Sequence, residues 1–411
     1  MYCCTLPFLL GVAVAFAGLS YIMYIPIKEG IVDTFQARTV AISARLIGIV
    51  GGVTEGLGIA KHVTMIRLFA THLVVSDNKQ PPDTDQLKVE DYTFDDIPVR
   101  LYRPTNASDP SPTVIYIHGG GWTIFSVDTY DDVVSEFAVR SGYVFISIEY
   151  PLAPDNPFPI PFEACLKAAL YVFTHAQTYG VDPRKIAIAG DSAGGNLAAA
   201  VALKLSELKD VPKLSFQWLI YPATQAFSFK TPSYIANDDA VPYFLQRESM
   251  AGYWCYYMDV NTPTMTKAFR NNNHTSRKLK QSVYASYVDA KLVSTKYQGD
   301  SSEETQNSDY GDDEISNQIE KVILNPYFAP LMAPDLSGVA PAFVVTAEFD
   351  VLRDDGLMYA QRLKDAGVDV VVYNSLGSIH GFLFWGGVMP KYADTDDTID
   401  MFVKYAKRQF Q

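Results

Sequence analysis

Cysteine and histidine are scarce in this sequence, with four and six residues respectively among 411. The cysteines at positions 3, 4, 165 and 255 form no C-x-x-C pair and match no zinc-ligand spacing, so neither a metal nor another cofactor is predicted. Cys165 and Cys255 are expected either to form a disulfide, if the chain folds outside the cytosol, or to remain separate buried thiols. Cys3 and Cys4 precede an apolar run, a context in which acylation is conceivable.

Basic residues are also under-represented, because 33 Lys and Arg face 46 Asp and Glu, for a formal net charge of -13. A nucleic-acid-binding protein needs clustered basic side chains opposite the phosphates, so that class of function is excluded. The acidic excess is explained by solubility. The length suits a single decorated domain with a sizeable core, and it says nothing of the oligomeric state.

Charged residues are absent from residues 6–27, an apolar run of 22 residues that would span about 33 Å as a helix. We interpret residues 1–28 as an uncleaved membrane anchor and residues 29–411 as the folded domain. A signal peptide cleaved near Ala15-Phe16-Ala17 is the competing interpretation, but the run exceeds a signal h-region. The sequons Asn106-Ala107-Ser108 and Asn273-His274-Thr275 predict glycosylation if the domain is lumenal.

Apolar strand-like runs alternate with helix-compatible stretches over much of the chain. The predicted strands cover residues 92–102, 113–117, 143–150, 186–189, 214–220, 341–346 and 368–373. Such alternation predicts an α/β domain with a doubly wound, mostly parallel sheet. Residues 29–90 and about 225–325 interrupt the pattern, the first as an N-terminal extension and the second as an insertion. The tract 300–320 has eight acidic and no basic residues, so about 299–320 is predicted to be a disordered loop.

The strongest local signal is Gly190-Asp191-Ser192-Ala193-Gly194, a G-x-S-x-G pattern between an apolar strand and an Ala-rich helix. A serine on such a strained turn needs glycines on both sides, where a β-carbon would clash. A small-residue turn without chemistry is the bland alternative. The strand and helix in the required order favour Ser192 as a nucleophile.

A second glycine-rich segment, His118-Gly119-Gly120-Gly121-Trp122, follows the predicted strand 113–117. Its backbone amides, with that of Ala193, are candidates for an oxyanion hole, in which preorganised donors stabilise the charge formed during acyl transfer. A phosphate cradle would require a Lys-Ser or Lys-Thr pair, which does not follow.

Serine needs a base, and His380 is the histidine that lies beyond the last predicted strand. The acid that orients this base should lie between Ser192 and His380, at a strand end. Asp350 occupies such a position, while Glu348, Asp354 and Asp355 remain rivals on spacing alone.

Together these segments resemble the hormone-sensitive-lipase branch of the α/β-hydrolases, and in it the arylacetamide deacetylase and neutral cholesterol ester hydrolase group. The resemblance also rests on four further segments: Glu149-Tyr150-Pro151-Leu152-Ala153-Pro154, Asn156-Pro157-Phe158-Pro159, Val181-Asp182-Pro183 and Asp350-Val351-Leu352-Arg353-Asp354-Asp355-Gly356. His380-Gly381-Phe382 completes it. The family often has Arg in place of Pro151 and usually Pro in place of Val351, and neither departure removes a reacting group.

The resemblance implies an α/β-hydrolase fold with an N-terminal transmembrane helix and a helical cap drawn from residues 29–90 and about 225–325. It also implies a triad of Ser192, Asp350 and His380. It also implies an oxyanion hole at Gly120, Gly121 and Ala193, in a loop with His118 and Gly119. Trp122, Tyr253 and Trp254 are expected to line an apolar substrate pocket. By this resemblance, the protein is expected to hydrolyse small-molecule or lipid esters. It is expected to lie in the endoplasmic-reticulum membrane, with its catalytic domain in the lumen.

Two other functions stay open at this stage. An amidase would use the same triad, so sequence cannot separate it from an esterase. A non-catalytic ligand-binding or adhesion protein could reuse the fold, because fold alone does not fix activity. Such proteins usually lose a triad member or the glycine loop, and this chain keeps both.

Overall fold

A single eight-stranded sheet forms the centre of the computed structural model, which describes residues 20, 23–74, 84–260, 262–298, 311–384 and 389–411. The strands are β1 Leu87–Phe94, β2 Ile97–Pro104, β3 Ser111–Ile117, β4 Val144–Ile148, β5 Val181–Asp191, β6 Gln217–Ile220, β7 Ala342–Phe349 and β8 Val370–Ile379. Their order is β1-β2-β4-β3-β5-β6-β7-β8. β1, β2 and β4 pair antiparallel, and every pairing from β4 to β8 is parallel.

The α-helices of the described residues lie between and around these strands. They are α1 Thr34–Gly56, α2 His62–Val74, α3 Asp131–Ser141, α4 Ile160–Thr174, α5 Ala193–Glu207, α6 Pro232–Ala236, α7 Arg247–Tyr257, α8 Pro263–Arg270, α9 Arg277–Lys280, α10 Val283–Ser286, α11 Thr295–Gln298, α12 Asp313–Ile323, α13 Arg353–Asp365 and α14 Thr395–Gln409. Four short 3₁₀ segments accompany them.

The central strands are buried on both faces, as expected for parallel strands covered by helices. In β3, Ile115 and Ile117 belong to one apolar cluster while Val114 and Tyr116 belong to the other, so alternate side chains serve opposite layers. Because the central strands are parallel, their carboxyl ends meet at one edge of the sheet. Loops that leave this edge are therefore brought together in space.

The predicted strand at 92–102 is wrong in one respect, because two strands occupy that region. β1 and β2 form an antiparallel hairpin whose turn places Asp95 and Asp96 at positive φ, 49° and 71°. Aspartate tolerates the left-handed region better than most residues, so this pair makes the turn. The apolar run alone concealed the reversal.

The prediction of disorder at about 299–320 is also wrong for its second half. Helix α12 begins after Asp312, whose side chain accepts hydrogen bonds from the amides of Glu314 and Ile315. Ile319 and Ile323 lie one turn apart and are buried against the core, which stabilises the helix. Acidic residues in the first turn suit the helix dipole, so the net charge of the tract misled the prediction. Residues 299–310 lie outside the described residues.

The predicted anchor at 1–28 lies mostly outside the described residues, as do Cys3 and Cys4. In its described part Ile25 is buried in the domain core, so the predicted boundary at residue 28 lies too far along the chain. Within the described residues, α1 is the helix that is both long enough and apolar enough to cross a membrane, although a buried core helix or a signal sequence meets the same criteria. Cys165 and Cys255 are both buried free thiols, so the disulfide is not formed. Burial raises the pKa of the Cys255 thiol to about 12, which makes it chemically inert.

Candidate active site

Ser192 lies on a sharp turn between β5 and α5, at the carboxyl edge of the sheet. Its backbone has φ 53° and ψ -118°, a strained conformation for a residue with a side chain. A β-carbon at Gly190 would lie 2.3 Å from the carbonyl oxygen of Gly194, and one at Gly194 would lie 2.0 Å from that of Ile117. The two glycines are therefore required by the close approach of strand and helix, as the sequence predicts.

His380 joins Ser192 to Asp350 through both nitrogens of its ring. Nε2 lies 3.0 Å from the Ser192 hydroxyl oxygen, and Nδ1 lies 2.7 Å from Oδ2 of Asp350. Each residue directly follows a parallel strand: β5, β7 and β8 end at 191, 349 and 379. In this geometry the imidazole can take the serine proton while the carboxylate holds its Nδ1–H.

The structure distinguishes Asp350 from its three rivals. Asp350 is 1 % exposed, and its second oxygen accepts the amide hydrogen of Leu352 at 2.9 Å. The rivals are engaged elsewhere: Glu348 accepts from the Gly377 amide, Asp354 binds Arg353 and the Ser233 amide, and Asp355 accepts from Thr224 and Gln225. The carboxylate bonded to His380 is that of Asp350.

The glycine loop forms a tight turn in a conformation that only small residues adopt easily. Gly120 and Gly121 have φ of 104° and 57°, and a β-carbon at Gly120 would lie 2.2 Å from the Ile124 carbonyl oxygen. Within the described part of the chain, the amides of Gly120, Gly121 and Ala193 donate to no protein acceptor. These N–H groups are therefore available to a developing oxyanion.

Asp191, which sequence reasoning left without a role, connects this loop to the serine turn. Its Oδ1 accepts the Gly119 amide hydrogen and the Tyr116 hydroxyl, both at 2.9 Å, and its Oδ2 accepts the Tyr130 hydroxyl at 2.8 Å. Burial raises the pKa of Asp191 to about 6, although the two tyrosine hydrogen bonds oppose the shift. The signal in the sequence was a charged residue at a position otherwise surrounded by small and apolar ones.

His118 is part of the same loop, and its hydrogen bonds and ring contacts within the described residues are with Gly119, Tyr130 and Tyr150. It is fully buried, stacks on Tyr150 with 4.4 Å between ring centroids, and receives the Tyr150 hydroxyl on its carbonyl oxygen at 2.9 Å. Burial lowers its pKa to about 4, so the ring is neutral near pH 7. His118 therefore supports the loop and is not a second base.

The three predicted pocket residues have different surroundings. Tyr253 on α7 is partly exposed and packs on Gly121, where a β-carbon would lie 2.4 Å from its ring. Trp122 and Trp254 are completely buried, with ring centroids 4.4 Å apart, and Trp122 also stacks on Tyr257. Both tryptophans are core residues, so of the three only Tyr253 has exposed surface that a substrate could contact.

Two aromatic rings that sequence reasoning did not assign to the base lie against it. The ring centroids of Tyr221 and Phe244 lie 4.7 Å and 6.4 Å from that of His380. Tyr221 follows β6 at positive φ, and Phe244 precedes α7 in the region predicted to form the cap. Phe244 fits the sequence as a cap residue, but no local pattern predicts the contact of either ring with the imidazole, because both contacts depend on how the cap lies on the sheet.

Asn106 and Asn273, the predicted glycan acceptors, are both exposed. The hydroxyl-bearing residue of the second sequon, Thr275, is completely buried, whereas Ser108 is exposed. No cluster of metal-ligating side chains occurs in the described ranges.

Comparison with known proteins agrees with this geometry. A family model described as alpha/beta hydrolase fold matches residues 114–283 and 287–384. The arylacetamide deacetylase of Bos taurus is 40% identical over 313 residues, which are 74% of this chain and 76% of that protein. Neutral cholesterol ester hydrolase 1 of Rattus norvegicus is 31% identical over 405 residues, or 96% and 97% of the two chains. The solved esterase of Pyrobaculum calidifontis superposes with a TM-score of 0.61 at 29% identity, covering 88% of this chain and 97% of that one.

Proposed function

This chain belongs to the α/β-hydrolase fold family, in the arylacetamide deacetylase and neutral cholesterol ester hydrolase group, and we propose that it cleaves carboxylic esters through an acyl-enzyme on Ser192. The observation that supports this most directly is the continuous hydrogen-bonded path from Ser192 through His380 to Asp350. The relatives named above are a deacetylase and a cholesterol ester hydrolase, which fits the same chemistry.

The first half of the reaction forms the acyl-enzyme. His380 Nε2 takes the proton of Ser192 as its oxygen attacks the ester carbonyl carbon, and Asp350 stabilises the resulting imidazolium. The amides of Gly120, Gly121 and Ala193 receive the oxyanion. Collapse of the tetrahedral intermediate breaks the bond to the alcohol, which leaves with the proton from His380.

The second half restores the enzyme. His380 removes a proton from a water molecule that attacks the acyl carbon, and the acid departs as Ser192 regains its proton. The residues of this chain supply the nucleophile, the base and the oxyanion donors.

Labelling by a fluorophosphonate probe tests the proposal, because the probe reacts with an activated serine. We expect wild-type protein to be labelled and the Ser192→Ala protein not to be labelled. Ser337→Ala is the matched control, since Ser337 is exposed and lies in a turn with Asp335. A folded wild-type chain that is neither labelled nor active on short esters contradicts the proposal. Paired assays on esters and arylacetamides with one acyl group then separate esterase from amidase activity.

For location, we propose that the uncharged run that begins at residue 6, as far as the point where Ile25 is buried in the domain, anchors the chain in the endoplasmic-reticulum membrane with the catalytic domain in the lumen. The absence of charge in that run and the exposed Asn106 support this placement. Expression in mammalian cells should give a band that endoglycosidase H shifts, and Asn106→Gln should remove most of the shift. Recovery of the whole protein in the medium favours the secreted alternative.

A further inference from the structure

The exposed apolar residues of this protein are concentrated on one part of its surface. Fourteen large hydrophobic side chains of the described residues are exposed, and ten of them belong to residues 23–68. We name six of these, Phe35, Leu46, Ile49, Val53, Leu57 and Ile59, the apolar face. A contiguous exposed patch of this kind marks an interaction surface, since soluble domains normally place polar residues there.

The apolar face is the outward side of α1. Leu46, Ile49, Val53 and Leu57 are spaced three or four residues apart, so they form one stripe along the helix and its C-terminal end. Ala37 and Ala41 lie on the opposite side and are completely buried against the domain. The helix therefore packs along the domain by its small residues and presents its large apolar residues outward, the reverse of an ordinary surface helix.

The chain that precedes this face identifies its occupant. Residues 6–27 have no charge, and Ile25, near the end of this run, is buried in the domain core. The amide of Lys28 donates to the carbonyl oxygen of Ala240, in the segment before α7, at 3.2 Å. Three residues later in that segment, the ring of Tyr243 lies 4.8 Å from the guanidinium of Arg45 on α1. The apolar N-terminal run and the apolar face thus adjoin the same segment, so a bilayer that takes the first is within reach of the second.

Helix α2 and the segment before α7 also contact the residues around the active site. Arg67 on α2 donates to the carbonyl oxygen of Thr123, just after the glycine loop, at 2.7 Å, and to that of Ala153 at 2.6 Å. On the other side, Tyr243 precedes Phe244, whose ring lies near that of His380. A surface that holds α1 therefore also fixes the orientation of the cap over the active site.

We propose that the apolar face rests in the interface of a lipid bilayer, with α1 lying along the membrane surface, and that this docking orients the active site to receive esters dissolved in the bilayer. A helix with one apolar side buried a few ångströms below the headgroups is a stable interfacial arrangement. The docking does not depend on the proposed hydrolysis. The delivery of bilayer-dissolved esters to the active site does rest on the proposed hydrolysis.

Spin labelling of the full chain in phosphatidylcholine vesicles tests the docking. Val53→Cys is labelled in a background with Cys3→Ser and Cys4→Ser, because the remaining cysteines are buried. Val283→Cys is the matched control: Val283 is a valine of similar exposure, 60% against 55% for Val53, on α10, whose neighbours pack on the other side of the sheet. We expect the label at 53 to be relaxed by oxygen and shielded from a water-soluble nickel chelate, and the label at 283 to show the opposite. Equal access of the chelate to both sites overturns the proposal. Dipolar broadening at 53 that disappears on dilution with unlabelled chain also overturns it, because the face then contacts a second copy.

Kinetics test the consequence for substrate delivery. The double substitution Ile49→Lys and Val53→Lys should lower hydrolysis of a long-chain ester held in vesicles several-fold, with a dissolved acetate ester cleaved at the wild-type rate. Val283→Lys should change neither. Unchanged hydrolysis of the vesicle-held ester by the double variant contradicts substrate delivery through this face. If wild-type protein cleaves neither ester, the proposed function fails, and the spin-label result still decides the docking.

Discussion

Removal of the Asp191 carboxylate should damage catalysis without removing any reacting group. Three donors converge on it: the Gly119 amide and the hydroxyls of Tyr116 and Tyr130. In Asp191→Ala the Gly119 amide retains an acceptor, since the Tyr130 oxygen lies 3.2 Å away, but both hydroxyls lose theirs. Two unsatisfied buried groups at about 1–3 kcal/mol each destabilise the fold by about 2–6 kcal/mol.

The catalytic loss follows from the position of Gly119 immediately before the oxyanion donors. Removal of one such donor costs about 100- to 1000-fold in kcat. We therefore expect its displacement in Asp191→Ala to lower kcat by about 100-fold, at the small end of that range, with KM for a short ester little changed. Asp191→Asn keeps an oxygen for the amide and the Tyr116 hydroxyl, while its NH₂ group faces the Tyr130 oxygen. Its kcat should stay within about tenfold of wild type.

The assay is steady-state hydrolysis of a short ester, with rates normalised to the folded fraction measured by circular dichroism at the assay temperature. Asp182→Asn is the matched control, since Asp182 is a buried carboxylate at the opposite end of the same strand, bonded to Arg184. It should leave kcat unchanged. A normalised kcat for Asp191→Ala within about threefold of wild type refutes the positioning role.

Three further outcomes are expected. Burial raises the pKa of Asp191 from 3.8 to about 6, so the folded state keeps this proton to higher pH than the unfolded state. The contribution of this carboxyl to the free energy of unfolding therefore falls by about 3 kcal/mol as the pH rises from about 4 to 6. Thermal unfolding of Asp191→Asn should lack that part of the wild-type pH dependence. Gly194→Ala, whose β-carbon would lie 2.0 Å from a β3 carbonyl oxygen, should destabilise the fold by about 3 kcal/mol or more. Gly252→Ala, whose β-carbon would have no heavy atom within 4 Å, should stabilise the fold by about 0.5–1 kcal/mol. The melting temperature should fall for the first variant and rise for the second, and any other pair of shifts contradicts this prediction. Tyr253→Ala should change the ratio of kcat/KM between long-chain and acetate esters. Trp254→Ala, at a fully buried position, should mainly lower the melting temperature, with a loss of about 3–5 kcal/mol in the free energy of unfolding. If Trp254→Ala changes the ester ratio and Tyr253→Ala does not, the assignment of Tyr253 to the substrate pocket is wrong.

Local sequence patterns determined the family, the strand–turn–helix around Ser192 and the glycine loop. Their physical basis is short range: a strained turn needs Gly190 and Gly194 whatever the rest of the chain does, and a buried parallel strand needs a continuous apolar run. The order of nucleophile, acid and base along the chain also identified His380, beyond the last predicted strand, as the base. These features could be predicted because each depends on residues within a few positions of one another.

The tertiary structure decided what spacing left open. Asp350, Glu348, Asp354 and Asp355 are close in sequence and chemically alike, and only the path of the chain after β7 directs Asp350 to the imidazole while the others bond elsewhere. Likewise, α12 forms because Ile319 and Ile323 find a core that the charge count did not reveal. The roles of Asp191, the burial of Trp254 and the outward side of α1 depend on contacts between distant segments, and such contacts follow from packing and not from local pattern.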